Sequence, residues 1–97
     1  MIRCFADSAT EDLFNGVSSR RARQACPVEL WPAVRRKLTQ LNRVQGLSEL
    51  KVPPGNRLQR LRGDRVGQYS IRINDQYRIC FRWEDSYADD VEVTDYH

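Results

Sequence analysis

The segment YSIRINDQYRICFRW (Tyr69–Trp83) decides the fold, because two stretches of alternating apolar and polar residues flank a short polar turn in it. Alternation with a period of two predicts half-buried strands, and Asn74-Asp75-Gln76 has the composition of a hairpin turn. We therefore predict an antiparallel hairpin with Tyr77 and Trp83 on its apolar, core-facing side. Its opposite face is predicted to carry three arginines: Arg72, Arg78 and Arg82.

Shorter strand patterns lie on both sides of this hairpin. Leu58 and Leu61 flank one candidate strand, which the turn of residues 62–67 joins to the hairpin, and Asp64 is interpreted as a residue of that turn. A second, acidic turn (Glu84–Asp90) leads into another strand that begins at Val91. Residues 2–6 are short and mostly apolar, and predict a first strand.

Helical patterns are confined to the N-terminal half. Ser8-Ala-Thr-Glu11 has the form of a capping box, and Gly16 ends a helix of about two turns. Residues 17–25, with Arg20, Arg21 and Arg23, lack a clear period and predict a mobile basic loop.

A second amphipathic helix follows this loop. Apolar residues repeat at helical spacing from Leu30 or Trp31 through Val34, Leu38, Leu41 and Val44. Pro32 predicts an irregular start. Gly46 is predicted to end the helix, and Leu47–Leu50 to form one more turn. Strands with one apolar face need helices on that side. The prediction is a single α+β domain (residues 1–97) with two N-terminal helices packed on a twisted antiparallel sheet.

Charge is unevenly distributed along the chain. Residues 51–82 hold eight Lys/Arg and two acidic residues, whereas residues 83–97 hold six acidic residues and no Lys or Arg. A basic surface suits a polyanionic partner such as RNA. Pairing with the acidic segment is the alternative, but exposed pairs contribute only about 0–1 kcal/mol each and would not explain the clustering of arginines.

Other features exclude several classes of protein. Three cysteines, Cys4, Cys26 and Cys80, have neither a metal-site spacing nor a disulfide framework, which favours free thiols in a reducing cytoplasm. No apolar run approaches the roughly 20 residues of a membrane span. The N-terminus lacks the apolar core of a signal peptide, so we expect a cytoplasmic protein without a membrane partner.

The chain's one histidine is His97, in the sequence Thr94-Asp95-Tyr96-His97. Histidine titrates near neutral pH, so this segment concentrates proton-transfer capacity. Beside a basic sheet face, it suggests phosphodiester chemistry on RNA.

Six motifs together resemble the HigB-type toxins of the RelE/ParE superfamily, also described as host inhibition of growth or plasmid maintenance killer proteins. The matching segments are PPGNRL (Pro53–Leu58), LxGDR (Leu61–Arg65), GxxSIRIN (Gly67–Asn74), QxRIxF (Gln76–Phe81), Trp83 and VxDYH (Val93–His97). The resemblance covers nearly the whole chain, and it is motif by motif from residue 53 onward.

The resemblance implies a RelE-like fold and a toxin that cleaves mRNA on the translating 70S ribosome without metal or other cofactor. It implies a cognate HigA-type helix-turn-helix antitoxin, with operator DNA contacted only through that antitoxin. By position, Asp95, Tyr96 and His97 match the family's C-terminal catalytic triplet. Arg78 matches a basic residue of the active-site sheet, and Arg62 a site that is usually basic.

One position departs from the pattern. Some relatives have a second catalytic histidine where this chain has Gln59, and glutamine cannot act as a base. We assign catalysis to His97 as general acid, to Asp95 as its orienting partner or the base, to Tyr96 as a phosphate or base contact, and to Arg78 as the phosphate ligand. The residues assigned to RNA binding are Arg57, Gln59, Arg62 and Arg82.

Two other functions remain open at this stage. The same fold includes toxins that inhibit DNA gyrase without cleaving nucleic acid, and fold alone does not fix function. Gln59 also leaves room for a catalytically degenerate module that only binds RNA or antitoxin.

Overall fold

The computed structural model describes residues 1–95, so Tyr96 and His97 lie outside the described residues. The predicted hairpin forms the centre of a four-stranded antiparallel sheet with the order β1-β2-β3-β4. Its strands are β1 (Gln59–Arg60), β2 (Gln68–Arg72), β3 (Tyr77–Glu84) and β4 (Tyr87–Asp95). This confirms the predicted sheet and the short strand between Leu58 and Leu61. The last strand begins at Tyr87, inside the predicted acidic turn, and not at Val91, because Asp85 and Ser86, both with positive φ, are enough for a two-residue hairpin turn.

One face of the sheet packs against the helices. Ile71 pairs with Ile79, which pairs in turn with Val93, and these side chains join one core cluster with Leu38 of the helical layer. Tyr77 and Trp83 are partly buried against the same cluster, as predicted. The arrangement is the predicted α+β fold, with apolar side chains on one face of each strand.

Helix α1 (Ser8–Asn15) has the predicted length of two turns, but its N-cap is Asp7 rather than Ser8. The Asp7 carboxylate accepts a hydrogen bond from the backbone N–H of Thr10 at 2.7 Å. Both residue types cap helices well, so composition alone could not choose between neighbours. Gly16 ends the helix in the left-handed conformation, with φ 75°.

Residues 17–25 are not a loop throughout, because a short helix α2 (Arg20–Ala25) lies within them. Ser19 is its N-cap, and Ala22 is fully buried in the core. Arg21 Nε donates a hydrogen bond to Asp12 Oδ2 of α1. The prediction of a mobile loop was wrong because the contacts that hold α2 are tertiary and leave no periodic pattern.

Helix α3 (Trp31–Arg43) follows a 3₁₀ turn at Val28–Leu30, so the start is irregular as predicted. Pro32 lies in the first turn of the helix, where its missing N–H has no intrahelical partner to lose. The helix ends at Arg43, earlier than the predicted Gly46, because Val44 turns into extended backbone and is buried. The predicted extra turn is the 3₁₀ helix Leu47–Lys51.

The N-terminal segment does not form the predicted strand over residues 2–6. It makes two isolated parallel bridges to β4, between Ile2 and Ala88 and between Phe5 and Val91. The apolar pattern identified a segment that packs on the sheet, but a continuous ladder did not form.

Candidate functional site

The register confirms that Arg72, Arg78 and Arg82 share the side of the sheet that faces away from the core, which we call the arginine face. Arg72 and Arg78 are direct cross-strand partners. Arg82 lies four residues beyond Arg78, which corresponds to about 13 Å along a strand. The three predicted arginines therefore do not form a single cluster.

Local acids also separate these arginines. Arg72 pairs with Asp75 in the hairpin turn. Arg82 Nε lies 3.4 Å from Asp90 Oδ2, next to a β-bulge at which Asp90 has a positive φ of 52°. The interpretation of these arginines as partners of acidic residues thus holds for Arg82.

Arg78 lies near the start of β3 on the arginine face and is held by two segments. Its Nε donates to Ser70 Oγ at 2.8 Å, and its Nη2 donates to the carbonyl oxygen of Arg57 at 2.9 Å. Its direct partner on β4 is Thr94, the residue before the C-terminal triplet. The guanidinium is therefore oriented by the protein beside the point where β4 ends.

The Arg57 carbonyl is positioned by a buried network around the 3₁₀ turn Pro54–Asn56. Asn56 is fully buried, accepts a hydrogen bond from Lys37 Nζ, and donates to Gln40 Oε1 at 3.1 Å and to the Leu50 carbonyl at 3.1 Å. Arg57 follows with a positive φ of 45°. The PPGNRL motif thus joins α3 to the arginine face, which sequence reasoning did not reveal.

Of the remaining residues assigned to RNA binding, Arg57 and Gln59 lie near Arg78. Arg62 follows Leu61, whose N–H donates to the carbonyl oxygen of Gln68, the cross-strand partner of Arg82, so Arg62 lies toward Arg82. Gln59 is exposed on β1 and pairs with Ser70, so it points to the arginine face. Arg62 is exposed and precedes the 3₁₀ turn Gly63–Arg65, which also contains Asp64 as predicted. The Arg57 side chain is also exposed.

Sequence reasoning missed an ion pair on the same face. Arg65 Nη1 lies 3.0 Å from Gln68 Oε1 and 3.1 Å from Glu92 Oε1. Glu92 pairs with Cys80, and the buried Val91 and Val93 on either side of it point to the core. The alternation of β4 could have placed Glu92 opposite the core, but only the register places it beside Arg65.

Asp95 is the last residue of β4. It is the cross-strand partner of Tyr77, on the opposite side of the sheet from Arg78, and its Oδ2 accepts a hydrogen bond from Gln76 Nε2 at 3.1 Å. Burial, and secondarily the Asp95 carboxylate, raise the pKa of the Tyr77 hydroxyl. The roles assigned to Tyr96 and His97 concern residues outside the described part of the chain.

The thiols and acids of residues 1–95 form no group suited to hold a metal ion. Cys4 is exposed, whereas Cys26 and Cys80 are buried. Burial raises the pKa of both buried thiols. Within the same described range, no helix is long and apolar enough to cross a bilayer.

Acidic residues at the end of β3 and on β4 bind a cation, Arg3, which sequence reasoning also missed. Arg3 Nε donates to Asp89 Oδ1 at 2.7 Å, and its Nη2 lies 3.6 Å from Glu84 Oε1. This pair ties the N-terminal segment to β4, far along the strands from Arg78.

Two solved structures of similar shape are YoeB-YefM complexes, and one of them is described as a heterotetrameric toxin–antitoxin complex. The YoeB-YefM complex from Staphylococcus aureus matches with a TM-score of 0.54 at 19% identity, over 100% of this chain and 98% of that chain. A heterotetrameric YoeB-YefM complex from the same organism matches with a TM-score of 0.55. At this identity the likeness supports the fold alone.

Sequence relatives are closer. The chain is 45% identical over 62 residues to Toxin HigB-1 of Vibrio cholerae serotype O1. These residues make up 64% of this chain and 65% of that protein. It is 33% identical over 60 residues to an uncharacterized protein of Haemophilus influenzae, which covers 62% of this chain and 59% of that protein. The aligned part spans less than two thirds of either relative.

The family match is more extensive. A family model described as a HigB-like toxin, the RelE-like toxin of the type II toxin–antitoxin system HigB, matches residues 4–97. Together with the identity to Toxin HigB-1, this match shows that the chain belongs to the HigB-like toxins of the RelE-like type II toxin–antitoxin family.

Proposed function

We propose that the protein is a ribosome-dependent mRNA endonuclease that stops translation and growth in the cytoplasm. Family membership supports a nuclease toxin. The single observation that carries the proposal is the position of Arg78, which two hydrogen bonds orient opposite Thr94. His97 follows Thr94 by three residues, which span at most about 11 Å, so the sequence allows both groups to reach one phosphate.

The reaction is a transesterification that needs no metal. The 2′-oxygen of a ribose loses its proton to water or to the Asp95 carboxylate and forms a bond to the adjacent phosphorus, while the bond from phosphorus to the 5′-oxygen breaks. The leaving 5′-oxygen takes a proton from His97. The products are a 2′,3′-cyclic phosphate and a 5′-hydroxyl, so protons and electrons balance without a co-reactant.

Arg78 supplies charge stabilisation in this scheme. A guanidinium forms forked, charge-assisted hydrogen bonds to phosphate oxygens, and these strengthen as negative charge accumulates in the transition state. The bonds to Ser70 and Arg57 fix its direction before the RNA binds. Preorganisation of this kind avoids reorganisation during the reaction.

The residues near the C-terminus would supply proton transfer. The pairing of Asp95 with Tyr77, away from Arg78, supports an orienting role for its carboxylate over the role of a base at the phosphate. Tyr96 would contact the phosphate or stack on a base. Arg57 and Gln59 would bind RNA next to the scissile phosphate, and Arg62 and Arg82 would bind it at a distance.

Neutralisation by a HigA-type helix-turn-helix antitoxin is part of the proposal. Two solved structures of similar shape are YoeB-YefM complexes, one of them described as a toxin–antitoxin complex, which supports a protein antitoxin as partner. Operator DNA would be contacted only through that antitoxin.

In vitro translation with primer extension on the mRNA tests the function. We expect the wild-type protein to cut within codons on the ribosome and His97→Ala to leave the mRNA intact, because the general acid is lost. Arg60→Ala is the control, since Arg60 lies over the Tyr69 ring, outside the proposed site.

The same protein should be assayed in parallel for inhibition of gyrase supercoiling. Inhibited supercoiling with intact mRNA would replace the nuclease by a gyrase inhibitor. Neither effect, with RNA or antitoxin still bound, would indicate the degenerate module that Gln59 leaves open.

A further inference from the structure

A second guanidinium is oriented on the arginine face by a different strand. Arg65 extends from the connection between β1 and β2, and its Nη1 lies between Gln68 Oε1 and Glu92 Oε1 at 3.0 and 3.1 Å. The side chains of Arg65 and Glu92 are 31% and 32% exposed. The pair thus remains accessible from solvent while both partners are held in place.

Arg65 and Arg78 flank the same point of the sheet. Cys80 is buried at the centre of the arginine face, between Arg78 and Arg82 along β3. Burial raises the pKa of the Cys80 thiol, and the charges of Arg65, Glu92 and Arg78 all act on it as well. Glu92, which holds Arg65, is the cross-strand partner of Cys80, and Arg78 lies two residues before Cys80 on β3, so the two arginines lie on neighbouring parts of the same face. Arg72 also lies beside Arg78 but pairs with Asp75 in the hairpin turn, and Arg82 pairs with Asp90.

Stability alone does not account for the Arg65–Glu92 pair. Ion pairs with this exposure contribute little to folding, because solvent screens them and ordering two long side chains costs entropy. An oriented second cation does have a chemical use. A phosphate in transesterification has two non-bridging oxygens that gain negative charge, and two arginines can each bind one of them.

We propose that Arg65 is a second phosphate-binding residue of the site and that Glu92 is its positioning residue. The inference rests on the proposed function. Glu92 acts through Arg65 and takes no proton from the RNA. Arg65 and Arg78 bind the scissile phosphate together, from the β1–β2 connection and from β3.

Single-turnover cleavage of mRNA on programmed ribosomes, with saturating toxin, tests this inference. We expect Arg65→Ala to lower the cleavage rate about 100-fold, the scale on which loss of one oxyanion donor acts. Glu92→Gln keeps the shape but loses the charge that holds Arg65, and a small displacement of Arg65 should lower the rate about 10-fold. The double variant should match Arg65→Ala within about twofold, because Glu92 acts only through Arg65.

Two readouts separate positioning from other roles. The pH profile of the rate should keep its shape in Glu92→Gln, and a lost acidic limb would make Glu92 a general base and overturn the proposal. Thermal melting should show that the variants are folded. The matched control is Arg3→Ala, which breaks another arginine–carboxylate pair on β4 and should leave the rate unchanged.

The cleavage assay distinguishes failure of this inference from failure of the proposed function. If the wild-type protein does not cleave mRNA, the proposed function fails and the inference fails with it. If the wild-type protein cleaves but Arg65→Ala and Glu92→Gln cleave within twofold of it, the function stands and the two-arginine site is wrong.

Discussion

At the scale of single residues, the site depends on side chains whose conformation is fixed before a ligand arrives. An arginine side chain carries roughly 2 kcal/mol of rotamer entropy, which phosphate binding would otherwise have to offset. In Arg78 the hydrogen bonds to Ser70 and to the Arg57 carbonyl restrict that freedom in the folded chain. We therefore regard Arg78 as preorganised for an anion.

The Arg57 backbone provides a test of how this carbonyl is positioned. Its φ of 45° is in the left-handed region, which costs a residue with a Cβ roughly 1–2 kcal/mol and costs glycine almost nothing. Arg57→Gly should therefore melt several degrees above Arg57→Ala, while both lose the side chain and require more toxin for half-maximal mRNA cleavage. Equal melting temperatures would show that the left-handed backbone is not a source of strain.

The same scale shows what the sequence could predict of the site. Arg78 was identified because the alternation of β3 places it opposite the core residues Ile79 and Phe81. The role of Asn56 was not identified, because the partners of its amide lie on α3 and on a 3₁₀ helix, and no local pattern connects them to it. Arg65 and Glu92 are 27 residues apart in sequence, and only the strand register brings them together.

At the scale of elements, α2 is held to α1 by one carboxylate. Asp12 Oδ2 accepts hydrogen bonds from Ser19 Oγ and from Arg21 Nε, both at 2.6 Å. Ser19 also caps α2 by accepting from the Ala22 N–H. The six-residue helix is too short to be stable alone, so its order depends on this contact and on burial of Ala22.

The Asp12 contact makes the docking of α2 dependent on pH. The hydrogen bond from Arg21, and then that from Ser19, lower the pKa of the Asp12 carboxyl. The stability it contributes is therefore fully present above the unfolded-state pKa of about 3.9 and is lost as pH falls through the lowered folded-state pKa.

Asp12→Asn removes this contribution. We expect the variant to melt below the wild type at pH 7. The difference should shrink as pH falls below about 4, because the carboxyl of the unfolded chain is protonated there and that of the folded chain is protonated only at lower pH. Melting curves between pH 7 and pH 2 measure it, with Asp64→Asn in an exposed turn as the control. A difference that stays constant over the whole range would assign the effect to shape instead of charge.

The elements that were predicted correctly carry a regular pattern, and those that were not depend on distant partners. Alternation identified β2 and β3, and helical spacing identified α3. Nothing between residues 17 and 25 has a period, yet Ala22 is fully buried because α1 supplies Asp12 as an anchor. The segment 2–6 is apolar as a strand should be, but its pairing with β4 is limited to two bridges.

At the scale of the whole molecule, the two faces of the sheet differ in what lies against them. The helices and the core cluster cover one face, and the basic residues that we assign to RNA lie on the other. The arginine face is assembled from the β1–β2 connection, β3 and the end of β4, so it draws on residues far apart in the chain. Two acidic residues, Asp89 and Asp90, lie near the hairpin between β3 and β4, away from Arg78. Asp89 pairs with Arg3, and Asp90 pairs with Arg82.

The central claim is that an oriented Arg78 and His97 act on one phosphate, and single-turnover mRNA cleavage on the ribosome by matched variants tests it most directly. We expect Arg78→Ala to lower the rate about 100-fold at saturating toxin, with an unchanged cleavage position, while Arg60→Ala cleaves as fast as the wild type. Cleavage ends should be a 2′,3′-cyclic phosphate and a 5′-hydroxyl. An Arg78→Ala protein that is folded and cleaves at the wild-type rate would contradict the account.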